Sequence, residues 1–118
     1  MWNIKTVKNL SRLQKKMILE SLKLLKIEGE IIYSTCTHAP EENEKIIDFA
    51  LETFKDKIQI QKITLPIKTR PGITFWNEKK YSQEIKKTCR VYPQDNDTEG
   101  FFIAKIKKIK DTEMEGSK

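Results

Sequence analysis

The residue with the clearest chemical potential is Cys36, at the end of the run Ile31-Ile32-Tyr33-Ser34-Thr35-Cys36. The other cysteine, Cys89, is far away in the sequence, and His38 is the single histidine, so the chain offers too few ligands for a zinc site. A thiolate can instead act as the nucleophile of covalent catalysis. A cysteine at a strand end can equally be a small buried hydrophobic residue. From the residues alone, both interpretations of Cys36 stay open.

The charge of the chain favours a polyanionic partner. It has 23 Lys and Arg residues against 17 Asp and Glu, a formal net charge of +6. Such a field attracts RNA or DNA, although lysine is also the ordinary solvated residue of a protein surface. The candidate RNA contacts are Lys8, Arg12 and Lys15 on the first predicted helix, and Arg90 near the end of the chain.

Hydrophobic periodicity predicts the elements that would position Cys36. A basic amphipathic helix is predicted over residues 6–26, with Gly29 adopting a left-handed conformation just past its end. The apolar, β-branched segment 30–36 is typical of a parallel strand that is buried on both faces. A second helix is predicted from Pro40 to Phe54, where Glu41, Glu42 and Glu44 would stabilise its positive end.

The remaining chain predicts two more strands around a long loop. The predicted elements are a strand over residues 58–65 with a bulge at Lys62, a loop from Pro66 with a helical turn near 83–87, and a strand over 101–109. Residues 110–118 are expected to be a charged, disordered tail. The order helix, strand, helix, strand, loop, strand favours a single α/β domain over residues 1–109 with parallel strands in its sheet.

The sequence also predicts the cellular compartment of the protein. No run of about 18 apolar residues is present, so we expect a soluble protein without a membrane-spanning helix. The start Met1-Trp2-Asn3-Ile4-Lys5 lacks the basic and apolar regions of a secretory signal, which predicts a cytoplasmic protein with reduced cysteines.

Three ordered motifs resemble one enzyme family. Tyr33-Ser34-Thr35-Cys36-Thr37 followed by Pro40-Glu41-Glu42-Asn43-Glu44 resembles the Thr-Cys motif of the Nol/Nop/Sun (RsmB-like) RNA cytosine-5 methyltransferases. The segment Leu10-Ser11-Arg12-Leu13-Gln14 resembles the preceding helix. The closing motif is matched by Arg90-Val91-Tyr92-Pro93 and by Thr98-Glu99-Gly100-Phe101-Phe102-Ile103-Ala104-Lys105. The chain departs from the family where Pro-Gly-Gly is usual, at residues 26–29, and at Gln94, where histidine is common.

The resemblance implies a specific role for Cys36. In this family the thiol at that position adds to carbon 6 of cytosine, so that carbon 5 can accept the methyl group of S-adenosylmethionine. The implied fold is the C-terminal half of a class I (Rossmann-like) methyltransferase sheet. Its last strand runs antiparallel and lies between the other two. The implied substrate is ribosomal or transfer RNA.

The resemblance leaves the roles of neighbouring residues open. Asn43 and Glu44 either brace the active loop or stabilise the start of the helix. Arg90 either contacts RNA phosphate or holds the last loop. His38 is interpreted as an exposed loop residue, because the motif requires no histidine there, and Cys89 as a packing residue.

Parts of a complete enzyme are missing from the sequence. The four glycines are isolated, so the chain has no Gly-rich loop to cradle S-adenosylmethionine, and it has no Asp-x-Pro-Cys segment. We therefore expect a catalytic half that lacks the cofactor-binding half, with residues 30–36 forming an unpaired sheet edge. A complementary N-terminal half or self-association would cover that edge. The alternatives are a non-catalytic truncated remnant and a basic RNA-binding module.

Overall fold

The computed structural model of the chain describes residues 4–37, 39–96 and 99–111, with side chains from Arg12 onward. The helices are α1 (Ile4–Leu24), α2 (Glu44–Phe54) and α3 (Pro93–Asn96), with 3₁₀ turns at Pro40–Glu42, Lys55–Lys57 and Gln83–Lys87. The strands are β1 (Glu30–Thr35), β2 (Ile58–Gln61), β3 (Arg70–Pro71), β4 (Phe75–Trp76), β5 (Lys79–Lys80), β6 (Cys89–Val91) and β7 (Phe101–Lys108). In the described part of the chain, no helix is both long and apolar enough to cross a membrane.

The first helix forms as predicted, but its C-terminal end differs. Ile18 and Leu22 are buried in the core, and α1 ends at Leu24. The left-handed residue is Glu28, with φ of 74°, so the prediction that Gly29 takes this conformation was wrong. Gly29 is needed for a different reason. A Cβ there would lie 2.9 Å from both Leu25 Cδ1 and Lys26 O, because the chain turns sharply back toward β1.

The sheet is organised around β7. This strand lies between β1 on one side and β2 and β6 on the other, and it is antiparallel to all three, while β3 lies beyond β6. The last strand is therefore inserted antiparallel between the other two long strands, as the resemblance implied. In the register, Tyr33 lies opposite Ala104, and Ile60 lies opposite Ile106.

The prediction of a buried parallel strand over residues 30–36 was wrong. β1 is an edge strand whose described pairing is with β7 alone, and that pairing is antiparallel. Residues Glu30, Ile32 and Ser34 on one of its faces are exposed. The apolar run predicted cover on both faces, but nothing in the described chain covers the face that carries Ile32.

The loop after β2 is more structured than the sequence predicted. β2 ends at Gln61, so the predicted continuation to Leu65 with a bulge at Lys62 was wrong. The hairpin of β4 and β5 turns through Asn77 and Glu78, both with positive φ, and the helical turn at Gln83–Lys87 forms as predicted. Of the predicted tail, Lys110 and Asp111 are described, and residues 112–118 lie outside the described part.

The core packs α1 and α2 against the sheet. α2 contributes the buried side chains Ile46, Ile47, Ala50 and Phe54, and β7 contributes Phe102, Ala104 and Ile106. These side chains recur at helical spacing on α2 and at every second position on β7, which is why both elements could be predicted. Burial of this apolar cluster is the main stabilising contribution to the domain.

The surface between α1 and β1 stays open. It contains a groove of about 700 Å³ lined by five residues of β1 and by α1 side chains between positions 14 and 21. Leu13, Met17 and Ile32 remain exposed on the same two elements, with 60% of Ile32 accessible. The open region therefore combines an unpaired strand edge with exposed apolar side chains.

Candidate active site

Cys36 lies immediately after the C-terminal end of β1, in a bend that leads toward the 3₁₀ turn Pro40–Glu42. Its thiol is free and exposed. Ligands of open α/β sheets commonly bind at strand ends of this kind. The burial expected of a packing cysteine is absent here, and the thiol is accessible to a substrate.

Asn43 holds the backbone on both sides of Cys36. Its side chain is fully buried, its Nδ2 donates to the carbonyl of Thr37 at 2.9 Å, and the Thr35 hydroxyl donates to its Oδ1. The Asn43 side chain makes no capping hydrogen bond to α2. Of the two roles left open for Asn43, the geometry is that of a brace on the loop that carries the thiol.

Three carboxylates of the segment after Cys36 bind the long loop. Glu41 Oε1 accepts from the Trp76 indole at 2.9 Å, Glu44 Oε2 accepts from the Ile73 amide at 2.9 Å, and Asp48 Oδ1 accepts from the Ser82 amide at 2.8 Å. Helix-start stabilisation alone was therefore an incomplete interpretation of Glu41 and Glu44. The spacing of three and four residues between these carboxylates was the available signal, since it places them on one side of the chain.

Arg90 forms a buried ion pair with Glu44. Its Nε lies 2.5 Å from Glu44 Oε2, its Nη2 lies 2.7 Å from Glu44 Oε1, and only 3% of the arginine is exposed. Burial lowers the pKa of Arg90, but the hydrogen bonds and negative charge of Glu44 outweigh it and leave the pKa raised. The geometry favours the second of the two roles, a structural link between β6 and α2, because a buried guanidinium cannot reach phosphate.

A glycine makes this link possible. Gly72 approaches the turn before β6 so closely that a Cβ would lie 2.1 Å from Thr88 Oγ1 and 2.6 Å from the Ile85 carbonyl. The next residue, Ile73, donates its amide to Glu44. Glu44 therefore connects the start of α2 to the loop and to β6 at once.

Glu42 is buried beside the thiol loop. Only 3% of the residue is exposed, and its Oε2 has no hydrogen-bond partner among the described residues. Burial raises the pKa of this carboxyl. The hydroxyl of Tyr33, on β1, donates to the Glu42 carbonyl at 2.6 Å, so the turn after Cys36 is also fixed to the strand before it.

The structure brings together two of the four candidate cations. Arg12 and Lys15 lie one turn apart on α1, Arg90 is buried elsewhere, and the side chain of Lys8 lies outside the described part. Lys15 Nζ lies 5.1 Å from the centre of the Phe49 ring. His38 lies outside the described residues.

Cys89 differs from Cys36 in its surroundings. It is buried in β6, its Sγ lies 3.8 Å from the Ile63 carbonyl, and burial raises the pKa of its thiol. An inert buried thiol is what a packing cysteine requires.

The open groove does not show the features expected of an S-adenosylmethionine site. The groove between α1 and β1 is lined by apolar and uncharged polar side chains and has no carboxylate for the ribose hydroxyls. Gly29 and Gly72 each serve a local close approach rather than a Gly-rich loop.

Solved structures with the same fold are methyltransferases. A methyltransferase homologue from Pyrococcus horikoshii superposes with a TM-score of 0.83 and 36% identity over 91% of this chain and 33% of that one. NSun6 from P. horikoshii, solved with SFG, superposes with a TM-score of 0.76 and 31% identity over 94% of this chain and 25% of that one. The fold is thus that of part of a methyltransferase.

The sequence gives the family. The chain belongs to the 16S rRNA methyltransferase RsmB/F family, whose model matches residues 2–107. The tRNA (cytosine(49)-C(5))-methyltransferase of Pyrococcus abyssi is 50% identical over 107 residues. That match covers 91% of this chain and 34% of the relative, so the chain spans about a third of the length of this protein.

Proposed function

We propose that this chain is the thiol-bearing part of an S-adenosylmethionine-dependent RNA cytosine-5 methyltransferase, with Cys36 as the nucleophile. The observation that carries the proposal is the position of Cys36, exposed at a strand end between two threonines that Asn43 holds. Family membership supports the reaction class. An accessible thiol on a braced loop has the geometry that covalent catalysis needs.

In the proposed reaction, the protein forms one covalent bond with the RNA, through Cys36. The Cys36 thiolate adds to carbon 6 of the target cytosine, which places the electron pair of the 5,6 double bond at carbon 5. When bound, S-adenosylmethionine would supply the methyl group to carbon 5 as its sulfonium S–CH3 bond breaks, and the neutral thioether S-adenosylhomocysteine would leave. A base then removes the proton from carbon 5, and the thiolate leaves carbon 6 as the double bond re-forms. Asn43 acts by keeping Thr35 and Thr37, and so the thiol, in a fixed position.

The remaining parts of the site come from residues outside this chain. The chain spans about a third of the relative named above, and the groove between α1 and β1 is lined by no carboxylate for the cofactor ribose. We propose that a complementary part with the Gly-rich loop and the Asp-x-Pro-Cys segment packs on the open region of α1 and β1. The unpaired edge of β1 and the exposed Ile32 support this arrangement.

The proposed substrate is a transfer RNA or a ribosomal RNA. The P. abyssi relative is named for tRNA and the family model for 16S rRNA, so both classes occur among similar proteins. The SFG bound to NSun6, an analogue of S-adenosylmethionine, supports the choice of methyl donor.

A cysteine replacement tests the nucleophile. In enzyme reconstituted from this chain and a complementary part, Cys36→Ala should abolish methyl transfer to RNA, and it should abolish the denaturant-resistant adduct with RNA that carries 5-azacytidine. Cys89→Ala is the matched control, because Cys89 is buried in β6 and should keep the adduct. If the Cys36→Ala enzyme still methylated RNA, Cys36 would be excluded as the nucleophile.

A non-catalytic remnant is the second candidate function, and the lack of a carboxylate in the groove between α1 and β1 favours it. Calorimetry with S-adenosylmethionine should give no stoichiometric binding to the isolated chain under either proposal. Methyltransferase activity of the reconstituted enzyme separates the two proposals.

Sedimentation tests the open edge of β1. The isolated chain should self-associate through this strand, and a cooperatively melting monomer would contradict the expected open edge.

A further inference from the structure

Four cations from three elements lie near one another around Lys15. Arg12 and Lys15 are three residues apart on α1 and share one side of the helix. Lys45 lies one turn before Phe49 on α2, and the Phe49 ring lies beneath Lys15 Nζ at 5.1 Å. Lys79 lies in β5, in the hairpin that the Glu41 carboxylate holds through Trp76.

The electrostatics show that these cations interact. Partial burial lowers the pKa of Lys15, and the positive charges of Lys45, Lys79 and Arg12 lower it further. Glu52 opposes this effect, but it is the weakest of these influences. Like charges held together at a surface destabilise one another, and a bound polyanion would relieve that repulsion.

An aromatic ring shares this surface. Trp76 lies directly opposite Lys79 in the hairpin register, so both side chains project from the same face of the two-stranded sheet. The indole N–H donates to Glu41 Oε1 at 2.9 Å, while 42% of Trp76 remains exposed. The indole is thus fixed by its edge and leaves ring surface for stacking. Glu41 follows Cys36 by five residues, so the hydrogen bond ties the hairpin to the segment after the thiol.

We propose that Arg12, Lys15, Lys45, Lys79 and Trp76 form a cation–tryptophan surface that binds a single-stranded RNA segment flanking the target cytosine. The cations neutralise backbone phosphates, and one unpaired base stacks on Trp76. A row of cations with a fixed aromatic ring is the combination by which proteins bind single strands without reading sequence. The inference rests on the proposed function and extends it to the nucleotides next to the reactive base.

Tryptophan fluorescence tests the stacking contact. The chain has two tryptophans, so Trp2→Phe leaves Trp76 as the single reporter. Titration with a mixed-sequence, single-stranded RNA of about 12 nucleotides, within the usual range of site sizes, should quench its emission. Trp76→Ala should weaken binding about tenfold. Trp76→Phe keeps an aromatic ring without the N–H and should bind more tightly than the alanine variant.

The salt dependence of binding tests the phosphate contacts. For single strands, the logarithm of affinity falls with the logarithm of salt concentration by about 0.7 for each phosphate neutralised. Lys45→Gln and Lys79→Gln should each reduce this slope by about that amount. Lys110→Gln is the matched control, because Lys110 pairs with Asp56 beyond the end of β7 and should leave the slope unchanged.

The outcomes separate the surface from the nucleophile. Unquenched Trp76 emission together with an unchanged salt slope in Lys45→Gln and Lys79→Gln overturns the proposal. Quenching with a reduced slope supports it, and circular dichroism of each variant excludes unfolding as the cause. Cys36→Ala should bind this RNA as well as the natural chain. RNA binding at the surface combined with methylation by Cys36→Ala would leave the surface standing and refute the proposed nucleophile.

Discussion

The closed region of the molecule, formed by α2, the loop over residues 66–88 and β6, contrasts with the open region of α1 and β1. In the closed region, buried carboxylates bind loop amides and Arg90. In the open region, Leu13, Met17 and Ile32 stay exposed beside an unpaired strand edge. In the closed region, buried polar groups find hydrogen-bond partners within the chain. In the open region, the exposed surface of these apolar side chains has no packing partner among the described residues.

The contrast shows which contacts of the Cys36 loop this chain provides itself. Cys36 lies at the boundary between the two regions, because β1 leads into it and Asn43, just before α2, holds the threonines on either side of it. A loop held from one side alone stays accessible from the other. The thiol is therefore positioned by this chain and left open to groups from outside it.

Removing the buried ion pair should break the closed region. Glu44→Ala leaves Arg90 buried without its carboxylate partner and should lower the free energy of unfolding by about 3–5 kcal/mol, measured by urea denaturation. Glu84→Ala, in the exposed pair with Lys87, should cost less than about 1 kcal/mol. Equal effects of the two variants would contradict a dominant role for Glu44. The double variant Glu44→Leu, Arg90→Met should recover part of the loss.

Matched isoleucine truncations should sharpen the contrast between regions. Ile106 on β7 is fully buried, so Ile106→Ala should cost about 2–5 kcal/mol in thermal or urea unfolding. Ile32→Ala on the open face should change stability by less than about 0.5 kcal/mol at a protein concentration where the isolated chain is monomeric. A large cost at Ile32 in the monomer would show that the chain itself covers the open face.

Loss of the Asn43 amide should loosen the thiol loop. Asn43→Ala removes two hydrogen bonds from a buried position and should cost about 1–3 kcal/mol, with faster amide hydrogen exchange at Thr37 and its neighbours. The control is Asn96→Ala, since the Asn96 side chain also makes two hydrogen bonds, both to the Lys68 backbone, and these bonds are exposed. Unchanged exchange at Thr37 would exclude the brace.

The smallest expected effect concerns pH. Burial raises the folded-state pKa of Glu42 above its ordinary 4.5, so the stability linked to its proton is present below that pH and is lost as pH rises through the folded-state pKa. Glu42→Gln should therefore be more stable than the natural chain at pH 7, by roughly 1 kcal/mol or less, and nearly equal at pH 4. Glu52→Gln, at an exposed position, should leave the stability unchanged at both pH 7 and pH 4.

Long periodic elements could be predicted from the sequence. α1, α2, β1 and β7 each show an apolar pattern that fixes their type, and the family resemblance gave the insertion of β7 between the other strands. The parallel pairing of β1 was wrong, because an apolar run does not encode its neighbour. The β4–β5 hairpin was missed because two-residue strands have no period, and its turn uses Asn77 and Glu78 rather than glycine.

The site was predictable only in part. Motif matching singled out Cys36 and Asn43 as candidates, but whether Asn43 braces the loop depends on Thr35 and Thr37 lying within reach of one amide. Arg90 was a candidate RNA contact because sequence carries no information on burial. Lys45 and Lys79 were not singled out, because they meet Lys15 only after α2 and the hairpin are in place.

The central position of β7 has a consequence for folding. β1 and β2 precede β7 by many residues, yet each takes its described pairing from that strand. Contacts between such distant segments carry a high loop-closure cost, so this topology should fold slowly for its size. As the chain emerges from the ribosome, β1 must wait without its β7 partner until residues 101–108 have been made, an interval in which a chaperone would protect it from aggregation.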